Sequence, residues 1–123
     1  MIPEAIPQLL QRYFDALYHA DAGLLASVMH PKAIYASADE QPLLYRNMEE
    51  YLPVVARRVS PSSRGEPRND QVETICLAGE NTAMARVRCS IGKSDFTDFL
   101  TLVRDEGEWR IMAKIFQIKP KEK

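Results

Sequence analysis

The stretch from Asp95 to Ile118 constrains the fold more than any other part of the chain, because it predicts a long β-hairpin. Two apolar runs, FTDFLTLVR and EWRIMAKIFQI, flank the turn from Asp105 to Glu108. Counting outward from this turn, we expect Phe99 to lie opposite Lys114. Since side chains alternate between the two faces of a strand, the sequence assigns each residue of the hairpin to one face.

Both faces of this hairpin carry apolar side chains, and both therefore need cover from water. One face holds Asp98, Leu100, Leu102, Trp109, Ile111, Ala113 and Ile115. The other face holds Thr97, Phe99, Thr101, Val103, Arg110, Met112, Lys114 and Phe116. We expect the helices of the chain itself to cover one face and another subunit to cover the other.

The rest of the chain predicts three helices, an early hairpin and further antiparallel strands. Apolar residues from Ile6 to Tyr18 recur at helical spacing, Asp21 is suited to cap a second helix, and Asn47 with Glu50 has capping-box spacing before a third. Strands are predicted at 33–37, 43–45, 71–78 and 83–91. This order predicts a single α+β domain over residues 1–123, in which a curved antiparallel sheet wraps the first helix.

Composition is typical of a globular protein and disfavours several classes of function. A formal net charge of -1 gives no global attraction to nucleic acid or to an anionic membrane. No apolar run approaches the roughly 20 residues that span a bilayer. Cys76 and Cys89, without a nearby pair of His or Cys residues, predict neither a disulfide scaffold nor a metal site. We expect a cytoplasmic protein with no cofactor, no nucleic-acid partner and no membrane partner.

Three motifs resemble the nuclear transport factor 2-like superfamily of cone-shaped α+β barrels, which includes SnoaL-like and ketosteroid-isomerase-like proteins. They are LLQRYFDALYHAD in the first helix, MHPKAIYAS at the first strand and FTDFLTLVRDEGEWRIMAKIF in the last hairpin. Within the superfamily the chain looks most similar to the "putative lumazine-binding" group, a name that does not itself establish lumazine binding. The resemblance implies the fold and a pocket, but the superfamily hosts enzymes, binding modules and assembly domains.

Ketosteroid isomerase, a catalytic member of this superfamily, allows a comparison of individual residues. Its first helix carries a Gln-Arg-Tyr whose tyrosine donates a hydrogen bond to the reacting oxyanion, and Tyr13 matches that tyrosine. The enzyme also uses a carboxylate base on the first strand and a protonated aspartate on the penultimate strand. These two positions fall on Ser37 and Phe99, and neither can replace a carboxylate. The resemblance therefore implies the pocket and argues against this chemistry.

The same alignment implies which residues face the pocket and which face a partner. The predicted ligand-binding residues are Tyr13, Tyr35, Ser37, Phe99, Thr101, Met112, Lys114 and Phe116. The predicted homodimer surface is Leu100, Leu102, Ile111, Ala113 and Ile115.

Several of these side chains have alternative interpretations that the sequence leaves open. Tyr13 is either a core tyrosine or a donor aimed into the pocket. Lys114 either extends its ammonium group to solvent at the rim, or anchors an anionic ligand, or has depressed basicity because of burial. Arg86 and Arg88 face the pocket beside Phe99 if the turn after their strand has two residues, and face outward if it has three.

Asp39 and His30 are the candidate proton acceptors. Asp39 would lie on the same face of the strand as Ser37, two residues further on, and could replace the carboxylate base that Ser37 lacks. An aspartate in a turn is the simpler interpretation. His30 titrates near neutrality, but it stands at a junction between helix and strand, where capping or backbone hydrogen bonding is common.

Three hypotheses for function follow. The leading one is a protein that binds an unidentified small molecule, flat or moderately apolar with an acceptor group, to which Tyr13 donates and which Lys114 orients. The alternative is an isomerase, dehydratase or polyketide cyclase that uses Tyr13 with Asp39 or His30. The third is an oligomerisation or partner-binding module, which predicts a filled cone without a cavity.

Overall fold

The computed structural model describes residues 1–121, which form three α-helices, one short 3-10 turn and six β-strands. The helices are α1 (Ala5–His19), α2 (Ala22–Val28) and α3 (Met48–Ala56), with the 3-10 turn at Ser62–Arg64. The strands are β1 (Met29–Ser37), β2 (Leu44–Asn47), β3 (Gln71–Ala78), β4 (Thr82–Ile91), β5 (Ser94–Asp105) and β6 (Glu108–Pro120). None of the helices within residues 1–121 is both long and apolar enough to cross a membrane.

The helix boundaries follow from local signals in the sequence. The backbone N–H of Leu24 donates to the Asp21 side chain at the start of α2, as predicted for an N-cap. Asn47 and Glu50 exchange hydrogen bonds with each other's backbone N–H groups at the start of α3, so the predicted capping box is confirmed. These caps fix the directions in which α2 and α3 leave the strands beside them.

The six strands form one sheet in the order β2-β1-β6-β5-β4-β3. Neighbouring strands are antiparallel except β1 and β6, which are parallel, so the predicted antiparallel sheet is in fact mixed. The curved sheet packs its inner face against the helices, and the apolar stripe of α1 lies in the core. The predicted α+β fold, with the sheet around the first helix, is confirmed.

The last hairpin has the predicted turn but loses the predicted register at Met112. Near the turn, Leu102 lies opposite Ile111, as counted from the sequence. The next pair is Thr101 with Ala113, because Met112 is an extra residue on β6 that forms a β-bulge.

The bulge reverses the alternation of side chains along the rest of β6. Phe99 therefore lies opposite Ile115 instead of Lys114. Lys114 and Phe116 point to the inner face of the sheet, while Phe99 is 50% exposed on the outer face. A shift of one residue moves every following side chain to the opposite face, so the two predicted face assignments were wrong beyond this point.

Two predicted surfaces also change independently of the bulge, because the face of β5 expected to meet a partner is the one that packs against the helices. Leu100, Leu102 and Ile111 are buried in the core of a single chain, so the expectation that they form a dimer surface is wrong. Phe99 and Thr101 lie on the outer face, so they do not line an inner pocket. Of the predicted dimer residues, Ala113 is half-buried and Ile115 is exposed.

The turn between β4 and β5 settles the orientation of Arg86 and Arg88. Ile91 pairs with Ser94, so the turn has two residues, and Gly92 adopts the positive φ of 60° that such turns favour. Arg86 then lies opposite Phe99, as expected for the short turn. That face is the outer one, however, and both arginines are exposed there.

Candidate functional site

Tyr13 and Asp98 join α1 to the inner face of β5. The Tyr13 hydroxyl donates a hydrogen bond of 2.6 Å to Oδ2 of Asp98, and both side chains are fully buried. The other carboxylate oxygen, Oδ1, is also buried and has no hydrogen-bond partner among residues 1–121. A buried carboxylate with an unsatisfied oxygen is costly, and such sites are often functional.

Asp98 was not among the residues predicted for the site. Counting from the turn glycine placed the aspartate position of ketosteroid isomerase on Phe99, but Phe99 faces outward and its neighbour Asp98 reaches Tyr13. The sequence did contain a signal, because Asp98 shares a strand face with Leu100 and Leu102. A carboxylate on an otherwise apolar face needs a partner.

Lys114 completes a buried polar cluster with Tyr13, Asp98 and Tyr51. Its Nζ lies 3.4 Å from the Tyr51 hydroxyl and 4.0 Å from Oδ2 of Asp98. The side chain is 4% exposed, so the alternative in which its ammonium group reaches solvent is wrong.

Aromatic rings surround this ammonium group. Nζ lies 5.1 to 5.7 Å from the ring centroids of four residues, which are Tyr13, Tyr35, Tyr51 and Phe116. The faces of aromatic rings attract a cation. The rings therefore help to hold the charge of Lys114 inside the protein.

The surroundings raise the pKa values of Tyr13 and Lys114. Burial raises the pKa of Tyr13 well above its ordinary value, and the Asp98 carboxylate raises it further. Burial alone would lower the pKa of Lys114, but the Tyr51 oxygen and the Asp98 carboxylate outweigh that effect and raise it. The pKa of Lys114 is therefore raised, which is the opposite direction to the depressed basicity that burial alone would give.

A cavity of about 140 Å³ lies on the other side of the aromatic rings. Its lining residues are Tyr35, Ser37, Glu40, Leu44, Arg58, Phe96, Phe116 and Ile118. The ring centroid of Phe116 lies 4.8 Å from that of Tyr35 and 5.9 Å from that of Phe96, which gives a continuous aromatic wall. Larger depressions beside Arg88 and beside Asp105 are lined mainly by polar and charged side chains, and another of about 200 Å³ beside Met29 and Met48 is mainly apolar.

Tyr35 is the residue that links the cavity to the buried cluster. Its ring stacks on that of Tyr51 with centroids 3.9 Å apart, and burial raises its pKa. Tyr35 and Phe116 both line the cavity and both contact the environment of Lys114. The cavity wall is thus fixed by the polar cluster behind it.

The structure brings together only part of the predicted pocket. Tyr35, Ser37 and Phe116 line the cavity. Tyr13 and Lys114 lie behind its aromatic wall, and Met112 forms the bulge outside the lining. The sequence interpretation did not select Glu40, Arg58 or Phe96 for the lining, which come together only because separate segments meet at this end of the sheet.

Asp39 and His30, the predicted proton acceptors, are both engaged elsewhere. The Asp39 side chain accepts a hydrogen bond of 2.8 Å from the backbone N–H of Ile118, as a structural turn aspartate would. His30 lies 2.9 Å from Asp105 at the β5–β6 turn, which is the far end of the hairpin from the cavity. Neither side chain lines the cavity.

Within residues 1–121, no three His, Cys, Asp or Glu side chains are placed to bind a metal ion.

Comparison with solved structures identifies the fold as nuclear transport factor 2-like. A protein of unknown function with this fold from Silicibacter pomeroyi DSS-3 is 23% identical, with 94% of this chain and 93% of that chain covered and a TM-score of 0.82. Another from Shewanella baltica OS155 is 24% identical, with coverage of 95% and 93% and a TM-score of 0.84. A ketosteroid isomerase-like protein from Erwinia carotovora atroseptica SCRI1043 is 11% identical, with 95% of each chain covered and a TM-score of 0.73. These identities show the fold alone.

The model of a family described as "Putative lumazine-binding" matches residues 3–117, which is most of the chain. Among curated proteins, no sequence matches the chain significantly.

Proposed function

The chain belongs to the "putative lumazine-binding" family, and from this premise we propose that it binds a flat, partly apolar small molecule in the cavity beside Tyr35 and Phe116. The observation that carries the proposal is the aromatic lining of that cavity, formed by Tyr35, Phe96 and Phe116. Pockets for small molecules combine apolar and aromatic walls with a few placed polar groups.

The volume of the cavity limits what part of the ligand is enclosed. An apolar cavity of about 150 Å³ in another protein holds one benzene molecule. The cavity of about 140 Å³ here therefore accommodates one six-membered ring, with the remainder of a larger ligand at the mouth. One ring of lumazine, a flat bicyclic dione, meets this limit.

Ser37 supplies the polar contact that a ligand with an acceptor group requires. Its buried hydroxyl oxygen accepts a hydrogen bond of 3.3 Å from the backbone N–H of Asp39. The hydroxyl proton has no acceptor among residues 1–121 and is free to bind a ligand carbonyl. We assign to Ser37 the donor role first expected of Tyr13.

Tyr13 and Lys114 act as positioning residues in this proposal. The Tyr13 hydroxyl is committed to Asp98, and the Lys114 ammonium is held among the rings of the cavity wall. Together they fix the orientation of Tyr35 and Phe116 before a ligand arrives. A preorganised wall loses little freedom on binding, which favours affinity.

A pair of leucine variants tests the proposal. Leu44 lines the cavity, whereas its neighbour Leu43 is exposed, so Leu44→Trp should fill the cavity and Leu43→Trp should not. We expect lumazine, followed by amide NMR spectra, to shift the signals of Tyr35, Ser37 and Phe116 in the wild type and in Leu43→Trp only. Equal binding by both variants would contradict the proposal, and so would shifts confined to the outer face.

The enzymatic alternative has less support. It requires Asp39 or His30 beside the same cavity as Tyr13, and those two side chains are bound to Ile118 and Asp105. The third hypothesis, a module with a filled cone, does not account for the aromatic cavity.

We also propose that two copies associate through the outer face of the sheet. Phe99 and Ile115 lie directly opposite each other there, and Met84 is exposed on the next strand. An apolar patch that meets its own copy across a two-fold axis is covered on both sides.

A cytoplasmic location remains part of the proposal, and two free thiols, Cys76 and Cys89, are compatible with it.

A further inference from the structure

Arg58 is a cationic residue in the lining of the aromatic cavity. It follows α3 directly after Arg57 and is half-buried. Within residues 1–121, Arg58 takes part in no ion pair. Other arginines differ in this respect, since Arg68 pairs with Asp15 and Asp70.

The guanidinium group of Arg58 lies over the ring of Tyr51, which stands behind the wall. Its central carbon lies 6.0 Å from the ring centroid of Tyr51, which stacks on Tyr35. Arg46 approaches the ring of Tyr35 at the same distance of 6.0 Å, and it too takes part in no ion pair within residues 1–121. Two positive charges therefore lie close to the aromatic wall.

Few carboxylates near the cavity are available to pair with the arginines, so an external anion can bind there. Glu40 is the one carboxylate among the described lining residues, and it is exposed. The Asp39 carboxylate next to it already accepts from the backbone N–H of Ile118. Asp98 lies behind the aromatic wall, next to Lys114. Near this wall, Arg46 and Arg58 thus outnumber Glu40.

We propose that the ligand of this cavity is an aromatic carboxylate whose ring enters the cavity and whose carboxylate binds Arg58. The inference rests on the proposed function and adds the charge of the ligand to it. A guanidinium group presents paired N–H donors that match the two oxygens of a carboxylate. Because Arg58 is only half-buried, the ligand carboxylate remains partly hydrated and the cost of its desolvation is limited.

Benzoate and benzamide form a matched pair of probes for this inference. They share one aromatic ring, which fits the cavity of about 140 Å³, and they differ in charge. Arg58→Met removes the guanidinium group and keeps an apolar stem, and Arg57→Met is the control because exposed Arg57 does not line the cavity. Titrations followed by amide NMR spectra give both affinity and location.

We expect wild type to bind benzoate more tightly than benzamide. Arg58→Met should weaken benzoate binding by about tenfold, the effect of one charge-assisted contact at a partly exposed site, and should leave benzamide binding unchanged. Arg57→Met should resemble wild type. Glu40→Gln should tighten benzoate binding alone, because it removes a like charge from the mouth of the cavity.

The possible failures separate the inference from the proposed function. If benzamide binds in the cavity and Arg58→Met leaves benzoate binding unchanged, the inference is overturned while the proposed function stands. If neither probe shifts the signals of Tyr35, Ser37 and Phe116, the cavity binds no aromatic ring. The inference and the proposed function are then both overturned.

Discussion

The hydroxyl of Tyr13 donates a hydrogen bond of 2.6 Å to Oδ2 of Asp98, which lies 85 residues further along the chain. This contact joins α1 to the inner face of the sheet at a point where Lys114 lies 4.0 Å from the same oxygen. The rings around Lys114 include Tyr35 and Phe116, which form the wall of the cavity. The proposed binding site therefore rests on a buried polar cluster.

Tyr13→Phe should destabilise the protein, because it leaves the buried Asp98 carboxylate without its short hydrogen bond. A hydrogen bond to a charged group contributes about 1.5–3 kcal/mol, and we expect the free energy of unfolding in urea to fall by that amount. Tyr45→Phe, at an exposed tyrosine, is the control and should have little effect. Equal stability of the two variants would show that the Tyr13 contact is not a stabilising one.

Asp98 and Lys114 should behave as a coupled pair in a double-mutant cycle. Lys114→Met leaves a buried carboxylate without its nearby ammonium and should cost about 3–5 kcal/mol of the free energy of unfolding. Asp98→Asn combined with Lys114→Met should cost less than the sum of the single variants, because no unpaired charge remains. Strict additivity in urea unfolding would contradict this coupling.

Cys89 should make the protein less stable at alkaline pH. Burial, followed by the Asp98 carboxylate, raises the pKa of this thiol to about 12, compared with about 8.5 in an unfolded chain. Because the folded pKa is the higher one, this contribution to stability is fully present below about pH 8.5 and is lost as the pH rises toward the folded value.

Urea unfolding at a series of alkaline pH values measures this effect. The free energy of unfolding of wild type should fall by about 1 kcal/mol per pH unit from this thiol once the pH exceeds the unfolded pKa. Cys89→Ala should show a shallower decline than Cys76→Ala, whose thiol is exposed. Parallel slopes for the two variants would refute the role of Cys89.

Phe99→Glu should separate the proposed homodimer into folded monomers, because Phe99 lies at the centre of the exposed outer patch. Leu102→Glu should instead unfold the protein, since Leu102 is buried in the core. Light scattering measures the oligomeric state, and circular dichroism reports the fold. A Phe99→Glu variant that remains dimeric would exclude the outer patch as the interface.

The elements of this fold were predictable because their signals are local. The apolar spacing of α1, the Asp21 cap and the capping box at Asn47 each depend on residues within one or two helical turns. The turn from Asp105 to Glu108 was predictable for the same reason.

The site was less predictable because it depends on one irregular residue. Met112 carries no sequence signal of a bulge, yet the bulge decides that Lys114 and Phe116 face inward, on the same side of the sheet as Asp98 and Leu100. The pairing of Tyr13 with Asp98 follows from the packing of α1 on the face of β5 that carries Asp98, Leu100 and Leu102. Such contacts are set by tertiary structure and not by periodicity.

The central claim, that the cavity beside Tyr35 and Phe116 is a ligand-binding site, is tested most directly by a crystal structure of the protein grown with a saturating concentration of lumazine. We predict one ring of the ligand between Tyr35, Phe96 and Phe116, with a carbonyl oxygen within hydrogen-bond distance of the Ser37 hydroxyl. Lumazine bound only on the outer face around Phe99, with this cavity filled by water, would contradict the claim.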